Sequence, residues 1–272
     1  MNHAMFPDPS SRRPNTLGAL RFGVLGTLAI WWEEGCIEIA AAKHRTVLAI
    51  LLANPNRTVN VGMLIDELWP GLAPSTARKT VQGYVWRLRR ALGPFADRLV
   101  TTGSGYRMVL PADGTDVLEF ERSVDTARVA LHAGASERAV GELTRALDLW
   151  RGPAFDCVPR SPAIEAYAVR LDEAYVAAQE SLIATRLSLG RPAEVVPDLV
   201  GLAAAHPHRE SLHRHLMTAL HRTGRRLDAL DVFRRLRFRL AADYGLEPDR
   251  QTVELHQALL QDRVDVAGFP QR

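Results

Sequence analysis

The chain has 272 residues, of which 47% are hydrophobic and 24% are charged, so it is long enough to form two globular domains with separate cores. Its longest apolar run is far shorter than a membrane span, and residues 1–15 contain no apolar signal-peptide segment. Its two cysteines are too few for a disulfide framework or a zinc site. These features exclude a membrane protein and a disulfide-rich secreted protein. They predict a cytoplasmic location, with Cys36 and Cys157 as buried, inert thiols.

The formal net charge of +3 is unevenly distributed along the chain. Residues 17–110 carry 11 Lys and Arg against 6 Asp and Glu, whereas residues 111–272 carry 21 against 24. A local excess of positive charge is typical of a surface that binds a polyanion. The first segment is therefore the candidate binding domain, and residues 1–16 and 263–272 are predicted to be tails.

Residues 17–110 alternate between strand-like and helix-like runs. The strand-like runs lie at residues 20–25, 29–32, 36–39, 99–102 and 106–109, and the helical runs lie at residues 43–53, 61–69 and 75–92. Residues 59–60 are interpreted as leading into the second helix. The last two strands flank Gly103-Ser104-Gly105, which predicts a β-hairpin. A small meander, three helices and a terminal hairpin together predict a winged helix-turn-helix.

The third helical run, residues 75–92, has two chemically different sides, with Ser75 after Pro74 available as its N-cap. Its apolar positions are Ala77, Val81, Tyr84, Val85, Leu88 and Leu92. Its polar positions are Lys79, Gln82, Gly83, Trp86, Arg87 and Arg90, with Arg78 and Arg89 at the margins. The sequence therefore predicts that one side packs into a core and that the other side is cationic.

The cationic side contains no acidic residue, although exposed helices usually mix charge signs and so gain ion pairs. It is either a solvated basic surface or the contact surface for a polyanion. Gly83 favours the second interpretation, because a glycine inside a helix costs about 1 kcal/mol relative to alanine and leaves room for a groove wall.

If the polyanion is duplex DNA, the polar side chains divide by chemistry. The positions suited to phosphate contacts are Lys79, Thr80, Trp86 and Arg90. Gln82 and Arg87 are suited to read bases, since Gln pairs bidentately with adenine and Arg pairs bidentately with guanine. Each such pair is worth about 1–3 kcal/mol of discrimination.

Residues 111–262 are predicted to form an all-α domain, because strand-like alternation is absent and seven segments carry apolar stripes between Gly or Pro breaks. The segments are residues 117–133, 137–150, 163–189, 192–206, 209–223, 225–242 and 249–260. LSLGRPAEVV and LHRTGRRLDAL both place Leu and small residues around a Gly-Arg turn, which favours tetratricopeptide-like helix pairs that offer a groove to partners. A packed dimerisation unit is the alternative.

Several motifs resemble one family of bacterial regulators. LGTLAI, KHRTVLAILLANPNRTV, LIDELWPG, ARKTVQGYVWRLRRALG and GSGYR occur in the order found in OmpR-type winged-helix domains, the effector type of two-component phosphorelays. ALDLWRGPAF and HPHRESLHRHLMTAL resemble the bacterial transcriptional activation domain that follows it. The chain is therefore similar to the Streptomyces antibiotic regulatory proteins (SARPs). This resemblance implies a mainly α protein with small sheets, with an OmpR-type winged helix over residues 17–110 and a tetratricopeptide-like domain over residues 111–262.

The resemblance also implies a function. Such a protein would be a transcription activator that binds direct repeats near a promoter as a homodimer and recruits RNA polymerase holoenzyme, through sigma region 4, to a secondary-metabolite (antibiotic) gene cluster. The implied polymerase contact is the loop of Pro70, Gly71, Leu72, Ala73 and Pro74. The positions that face bases in relatives match Gln82, Gly83 and Arg87, and those near the DNA backbone match Trp69, Lys79, Thr80, Tyr84 and Trp86.

Two positions depart from the family pattern. Gly83 replaces a bulkier residue that can touch a thymine methyl group. Thr102 stands where many relatives place an arginine before Gly-x-Gly-Tyr. Either Arg107 or Arg98 supplies the cation for the minor groove, or the wing reads less DNA than it does in relatives.

The residues carry no signature of an enzyme, a cofactor site or a metal site. Asp66 and Glu67 are expected to face solvent, and Gly103-Ser104-Gly105 lacks the third glycine and the helix of a dinucleotide loop. Four histidines lack metal-ligand spacing and are expected to be solvated. They are His206, His208, His213 and His215. The main alternative function is a helical module that senses a peptide or a small ligand, with DNA binding secondary.

Overall fold

The structure is a computed structural model that describes residues 20–32 and 35–261. These ranges contain ten α-helices and two three-stranded antiparallel sheets, so the predicted mainly α fold is confirmed. Both predicted tails, residues 1–16 and 263–272, lie outside the described residues. None of the helices in these ranges has the length and apolar character needed to cross a membrane.

The described part of the chain forms two compact units. The first comprises the residues up to Thr126 together with Thr144–Val176, and the second comprises Ala127–Leu143 together with the residues from Ala177 onward. The first unit therefore continues past residue 110, where the change of fold type predicts a domain division.

The first sheet consists of β1 (Arg21–Gly23), β2 (Ala29–Trp32) and β3 (Gly35–Cys36), paired in that order. Phe22 of β1 lies opposite Ile30 of β2, and both side chains are buried. β3 is a short edge strand, so the Cys36 thiol is exposed, and Cys157 is only partly buried. The prediction of two buried thiols was therefore wrong.

Three helices follow: α1 (Ala42–Leu52), α2 (Val61–Leu68) and α3 (Ala77–Leu92). Every α1 residue from Thr46 to Leu52 is buried, because α2, α3 and a strand of the second sheet all pack on this helix. α1 and α2 lie within one residue of their predicted bounds. They form the support on which α3 rests.

The second sheet consists of β4 (Val59–Asn60), β5 (Leu99–Thr101) and β6 (Gly105–Met108), in the order β4-β6-β5. The predicted hairpin of β5 and β6 is confirmed. Residues 59–60 lead into α2, as interpreted, but they also form a strand that the sequence did not predict: Val59 pairs with Tyr106 and Asn60 pairs with Gly105. Gly105 permits this pairing because a Cβ there would overlap the carbonyl oxygen of Val59.

Seven further helices follow, and they confirm the seven predicted segments within three residues at each end. They are α4 (Asp116–His132), α5 (Ser136–Leu147), α6 (Pro162–Ser188), α7 (Pro192–Ala205), α8 (Glu210–Arg222), α9 (Arg226–Tyr244) and α10 (Arg250–Leu260). In the second unit, α7 to α10 share one hydrophobic core, and each helix packs against the next. The largest buried side chain of that core is Phe233 of α9.

Asp116, at the start of α4, links the first sheet to the helical part of the first unit. Its carboxylate is buried and accepts hydrogen bonds from the backbone N–H groups of Val24 (2.9 Å) and Leu25 (3.0 Å). It also pairs with Arg151 at 3.0 Å, and the Arg151 guanidinium lies over the Trp31 ring, 4.8 Å from its centroid. The orientation of the sheet therefore depends on residues that follow the winged helix in the sequence.

Glu67 of α2 makes a second link within the first unit. Its carboxylate accepts a hydrogen bond of 3.0 Å from the N–H of Ala163 in the first turn of α6. Free N–H groups and the helix dipole favour a negative charge at that position. Asp66 is exposed as predicted, but the prediction that Glu67 faces solvent was wrong, because its partner is distant in the sequence.

Candidate nucleic-acid interface

Helix α3 packs against α1 and α2 through the predicted apolar side. Its buried residues are Ala77, Val81, Val85, Leu88 and Leu92, and Tyr84 is partly buried. The helix begins at Ala77, and no side chain caps its N-terminus, so the predicted cap at Ser75 was wrong. The N–H of Ala77 instead donates to the carbonyl of Pro74 at 2.8 Å, which closes the preceding turn through the backbone.

The opposite side of α3 is open to solvent along the whole helix. Its exposed residues are Arg78, Lys79, Gln82, Gly83, Trp86, Arg87 and Arg90. None of these cations forms an ion pair with another described residue. Trp86 is 59% exposed, and the Arg90 guanidinium lies 5.7 Å from the centroid of its ring. The helix therefore presents cations that have no acidic partner in the described part of the chain, beside side chains that can form hydrogen bonds.

Gly83 leaves the backbone of α3 accessible at the centre of this side. A Cβ built on Gly83 would meet no atom within 4 Å, so the packing of the chain does not require a glycine here. Thr80, one turn earlier, is partly buried, and its hydroxyl donates to the Thr76 carbonyl at 3.1 Å. The space over Gly83 is available to a partner outside the fold.

Trp69 and Tyr84 belong to a cluster of aromatic and cationic side chains beside α3. Their rings are stacked with centroids 6.3 Å apart, and His44 meets Tyr84 edge to face at 4.9 Å. The Lys43 ammonium lies 5.5 Å from the centroid of Trp69. Burial lowers the pKa of His44, and the positive charge of Arg87 lowers it further. The cluster fixes the orientation of both aromatic rings.

Lys43 and His44 were missed as candidate site residues. They stand in the first turn of α1, which contains no acidic residue, and the apolar run begins just after them. A lysine followed by a histidine at a helix start without a neighbouring carboxylate was the available signal.

The wing, formed by β5, β6 and their turn, uses its polar residues mainly to hold its own shape. Arg89 of α3 donates to the Leu99 carbonyl at 2.6 and 2.9 Å and to the Thr101 hydroxyl at 2.8 Å. The Thr102 hydroxyl accepts a hydrogen bond of 3.2 Å from the N–H of Gly105. Thr102 therefore closes the turn of the wing.

The cations of the wing lie away from its tip. Arg98 and Arg107 are both partly buried, and the Nε atom of Arg107 is buried without a hydrogen-bond partner among the described residues. The tip itself consists of Gly103 and Ser104, which are exposed and uncharged. The structure therefore places neither Arg98 nor Arg107 at the tip of the wing.

The loop between α2 and α3 projects into solvent. Pro70, Gly71, Leu72, Ala73 and Pro74 are all exposed, and Gly71 has a φ of 88°, which favours glycine. Leu72 is 89% exposed, the largest value among the exposed large hydrophobic residues of the described chain. An apolar side chain at the tip of a proline-bounded loop is available as an anchor for another protein.

The histidines of the second unit do not form a metal site. No group of three or more potential ligands occurs among the described residues. His213 is 2% exposed, so the prediction that it is solvated was wrong. Its Nε2 lies 3.1 Å from the Pro207 carbonyl, and burial, followed by the charge of Arg239, lowers its pKa to about 4. His213 is therefore a neutral core residue that donates to the backbone.

Because the unfolded chain holds this imidazole with an ordinary pKa near 6.5, it binds more protons than the folded chain between about pH 6.5 and pH 4. We expect the contribution of His213 to the free energy of unfolding to fall by on the order of 2 kcal/mol as the pH drops through that window. Urea denaturation of the wild type and of His213→Gln at about pH 7, 5.5 and 4.5 measures this contribution. The two proteins have the same carboxylates, so the effect of carboxylate protonation drops out of the difference between their free energies of unfolding. Identical pH dependence in the two proteins would contradict the expectation.

Two family models match the chain. Residues 39–108 match the transcriptional regulatory protein C-terminal domain, and residues 115–260 match the bacterial transcriptional activator domain. Regulatory protein DnrI of Streptomyces peucetius is 34% identical over 250 residues, which cover 89% of this chain and 92% of DnrI. The chain belongs to the Streptomyces antibiotic regulatory protein family. This SARP is accordingly a transcription regulator.

The SARP chain is also similar to parts of longer proteins. Regulatory protein AfsR of Streptomyces coelicolor is 38% identical over 260 residues, which are 93% of this chain but 26% of AfsR. The solved structure of Mycobacterium tuberculosis EmbR in complex with a low affinity phosphopeptide matches 91% of this chain and 67% of that chain, with a TM-score of 0.87 and 33% identity. These matches place both the winged helix and the helical domain in one regulator family.

Proposed function

We propose that this SARP activates transcription by binding duplex DNA specifically, with α3 in the major groove. The observation that supports the proposal best is the exposed side of α3, where Lys79, Arg87 and Arg90 form no ion pair with any residue that the structure describes. A helix is narrow enough to enter the major groove, and phosphates supply the missing negative charge. The open backbone at Gly83 allows the helix to lie close to the groove.

The site residues then have distinct roles. Gln82 and Arg87 read adenine and guanine edges, while Gly83 allows close approach to the bases. The residues that contact the DNA backbone are Trp69, Lys79, Thr80, Tyr84, Trp86 and Arg90. Arg107 makes at most a supporting contact from the wing, because its guanidinium is partly buried.

The remaining parts of the proposal follow from the family. The protein binds direct repeats near a promoter as a homodimer and activates a secondary-metabolite gene cluster. Its exposed loop of residues 70–74, with Leu72 as the anchor, contacts sigma region 4 of RNA polymerase holoenzyme. The DNA-binding domain corresponds to residues 17–110, and the activation domain corresponds to residues 111–262.

Selection from a library of random duplexes tests the proposal. The full chain should enrich two copies of one short motif in the same orientation, at a spacing of about one helical turn or a multiple of it. Enrichment without any shared motif would leave only non-specific binding and would refute the assignment of base-reading residues.

Lys79→Ala should weaken binding to every duplex to a similar extent. Because Lys79 is assigned to a phosphate, its loss should lower the slope of log affinity against log salt concentration by about 1 while base preference is retained. Fluorescence anisotropy on selected and random duplexes at several salt concentrations measures both quantities. Arg138→Ala, which removes an exposed cation of α5, is the control and should leave the slope unchanged. An altered base preference in Lys79→Ala would contradict its role.

The main alternative, a helical module that senses a peptide or a small ligand, has support from a groove in the second unit. The groove has a volume of about 400 Å³ and is lined by residues of α7, α8 and α9. If this module were the primary function, the α3 variants would leave the regulatory activity of the protein unchanged. A transcription assay of Lys79→Ala therefore discriminates between the two functions.

A further inference from the structure

The second unit carries an exposed aromatic residue within a group of arginines on α9. Phe238 is 74% exposed, and together with Arg234, Arg235 and Arg239 it borders a surface depression of about 460 Å³. We call these four residues the α9 patch. An exposed phenylalanine among cations suits a partner that combines an apolar side with negative charge.

The α9 patch is continuous with the groove between α7, α8 and α9, because Arg235 and Arg239 border both. The apolar lining of the groove includes Val200, Leu216, Leu220 and Val232. Val200 of α7 is 53% exposed, so part of this apolar surface is accessible to solvent. The groove thus offers an apolar floor next to the arginines of α9.

The charges of the groove are partly compensated within the unit. Arg225 pairs with Asp228 at 2.7 Å, and Arg235 pairs with Asp231 at 2.7 Å. Arg234 and Arg239 form no ion pair with another described residue. The excess positive charge is therefore concentrated in the middle of α9, between residues 234 and 239, beside Phe238.

We propose that the groove and the α9 patch bind an acidic amphipathic helix of a partner protein. The apolar side of that helix packs on the groove and Phe238, and its carboxylates pair with Arg234 and Arg239. A nucleic acid fits less well, because Asp228 and Asp231 line the same groove and repel a continuous row of phosphates. This surface shares no residue with α3, so the inference is independent of the proposed DNA interface.

Binding of a designed peptide to the full chain tests the proposal. The probe is a fluorescent helical peptide of about five turns with Leu on one side and Glu on the other, compared with the same peptide carrying Lys in place of Glu. We expect the Glu peptide to bind at least about tenfold more tightly than the Lys peptide, and Arg234→Glu to weaken it by about tenfold. Phe238→Ser should weaken both peptides. Anisotropy measures the affinities, and hydrogen exchange locates the protected helices.

Both substituted side chains are exposed, so the variants are expected to fold, and circular dichroism spectra that match the wild type confirm that they do. Arg138→Glu on α5 reverses an exposed charge of the same unit and serves as the matched control. The proposal is overturned if the two peptides bind equally, if Arg138→Glu weakens binding as much as Arg234→Glu, or if protection falls outside α7 to α9. If a short duplex displaced the peptide from Lys79→Ala as effectively as from the wild type, the patch would be assigned to nucleic acid instead.

Discussion

Replacing Asp116 by alanine should lower the free energy of unfolding by about 3–5 kcal/mol. The substitution leaves the Arg151 guanidinium in a largely buried position without its counter-charge. It also leaves the N–H groups of Val24 and Leu25 without their acceptor in the interior of the first unit. Each loss leaves a buried polar group without a partner. The free-energy penalty of such a group is larger than the net stabilisation that the intact pair provides. Urea denaturation followed by circular dichroism measures the change.

An exposed ion pair of the second unit supplies the matched control. Glu137 pairs with Arg191 at 2.6 Å, and its side chain is 62% exposed. Glu137→Ala should therefore cost less than about 1 kcal/mol, because water solvates the arginine that remains. Equal losses for Asp116→Ala and Glu137→Ala would show that the Asp116 network does not stabilise the first unit as its geometry indicates.

The Asp116 network also affects how the winged-helix half can be studied. A fragment that ends at residue 110 lacks Asp116, Arg151 and the helix turn that Glu67 caps. It would expose the surface of the first unit that those residues cover. For this reason the binding experiments use the whole chain.

Arg87→Lys should abolish preference for one base while leaving non-specific binding nearly intact. Lysine keeps the positive charge but lacks the planar pair of donors that matches O6 and N7 of guanine. We expect a loss of about 1–3 kcal/mol on the selected duplex and little change on random duplexes. Anisotropy titrations on the selected site and on the site with each guanine replaced measure the effect. The salt dependence should remain that of the wild type.

Gln82→Ala provides a second test on the same helix, because it should relax preference at an adenine without changing the salt dependence. The two variants should affect different base pairs of the motif. If Arg87→Lys lowered affinity equally on selected and random duplexes, Arg87 would be a phosphate contact. The division of roles along α3 would then be wrong.

The local pattern of the chain was enough to predict most of the fold. The apolar stripe of α3 packs as its spacing indicates, and the helices of the second half occur where the Gly and Pro breaks predict them. Contacts between residues that lie far apart in the sequence were not predicted. Residues 59–60 form a strand because of Tyr106, and Glu67 caps a helix that starts at Pro162.

The candidate site shows the same division. The acid-free side of α3 can be identified from composition and helical spacing alone. Lys43 and His44, in contrast, can be recognised as neighbours of the site only once the fold has placed Trp69 and Tyr84 beside them. The α9 patch also depends on packing. Phe238 is exposed because the other side of α9 is the one that packs into the core.

By itself, the sequence determined the order of the helices and of every strand except β4, the family, and the charge of the side that α3 presents to solvent. Those properties depend on periodicity and on residues close together in the chain. Only the tertiary structure decided that the first sheet is held by Asp116, that His213 is buried and neutral, and that α9 exposes a phenylalanine beside a groove. Burial and long-range hydrogen bonds set these features, and both arise only when distant segments pack together.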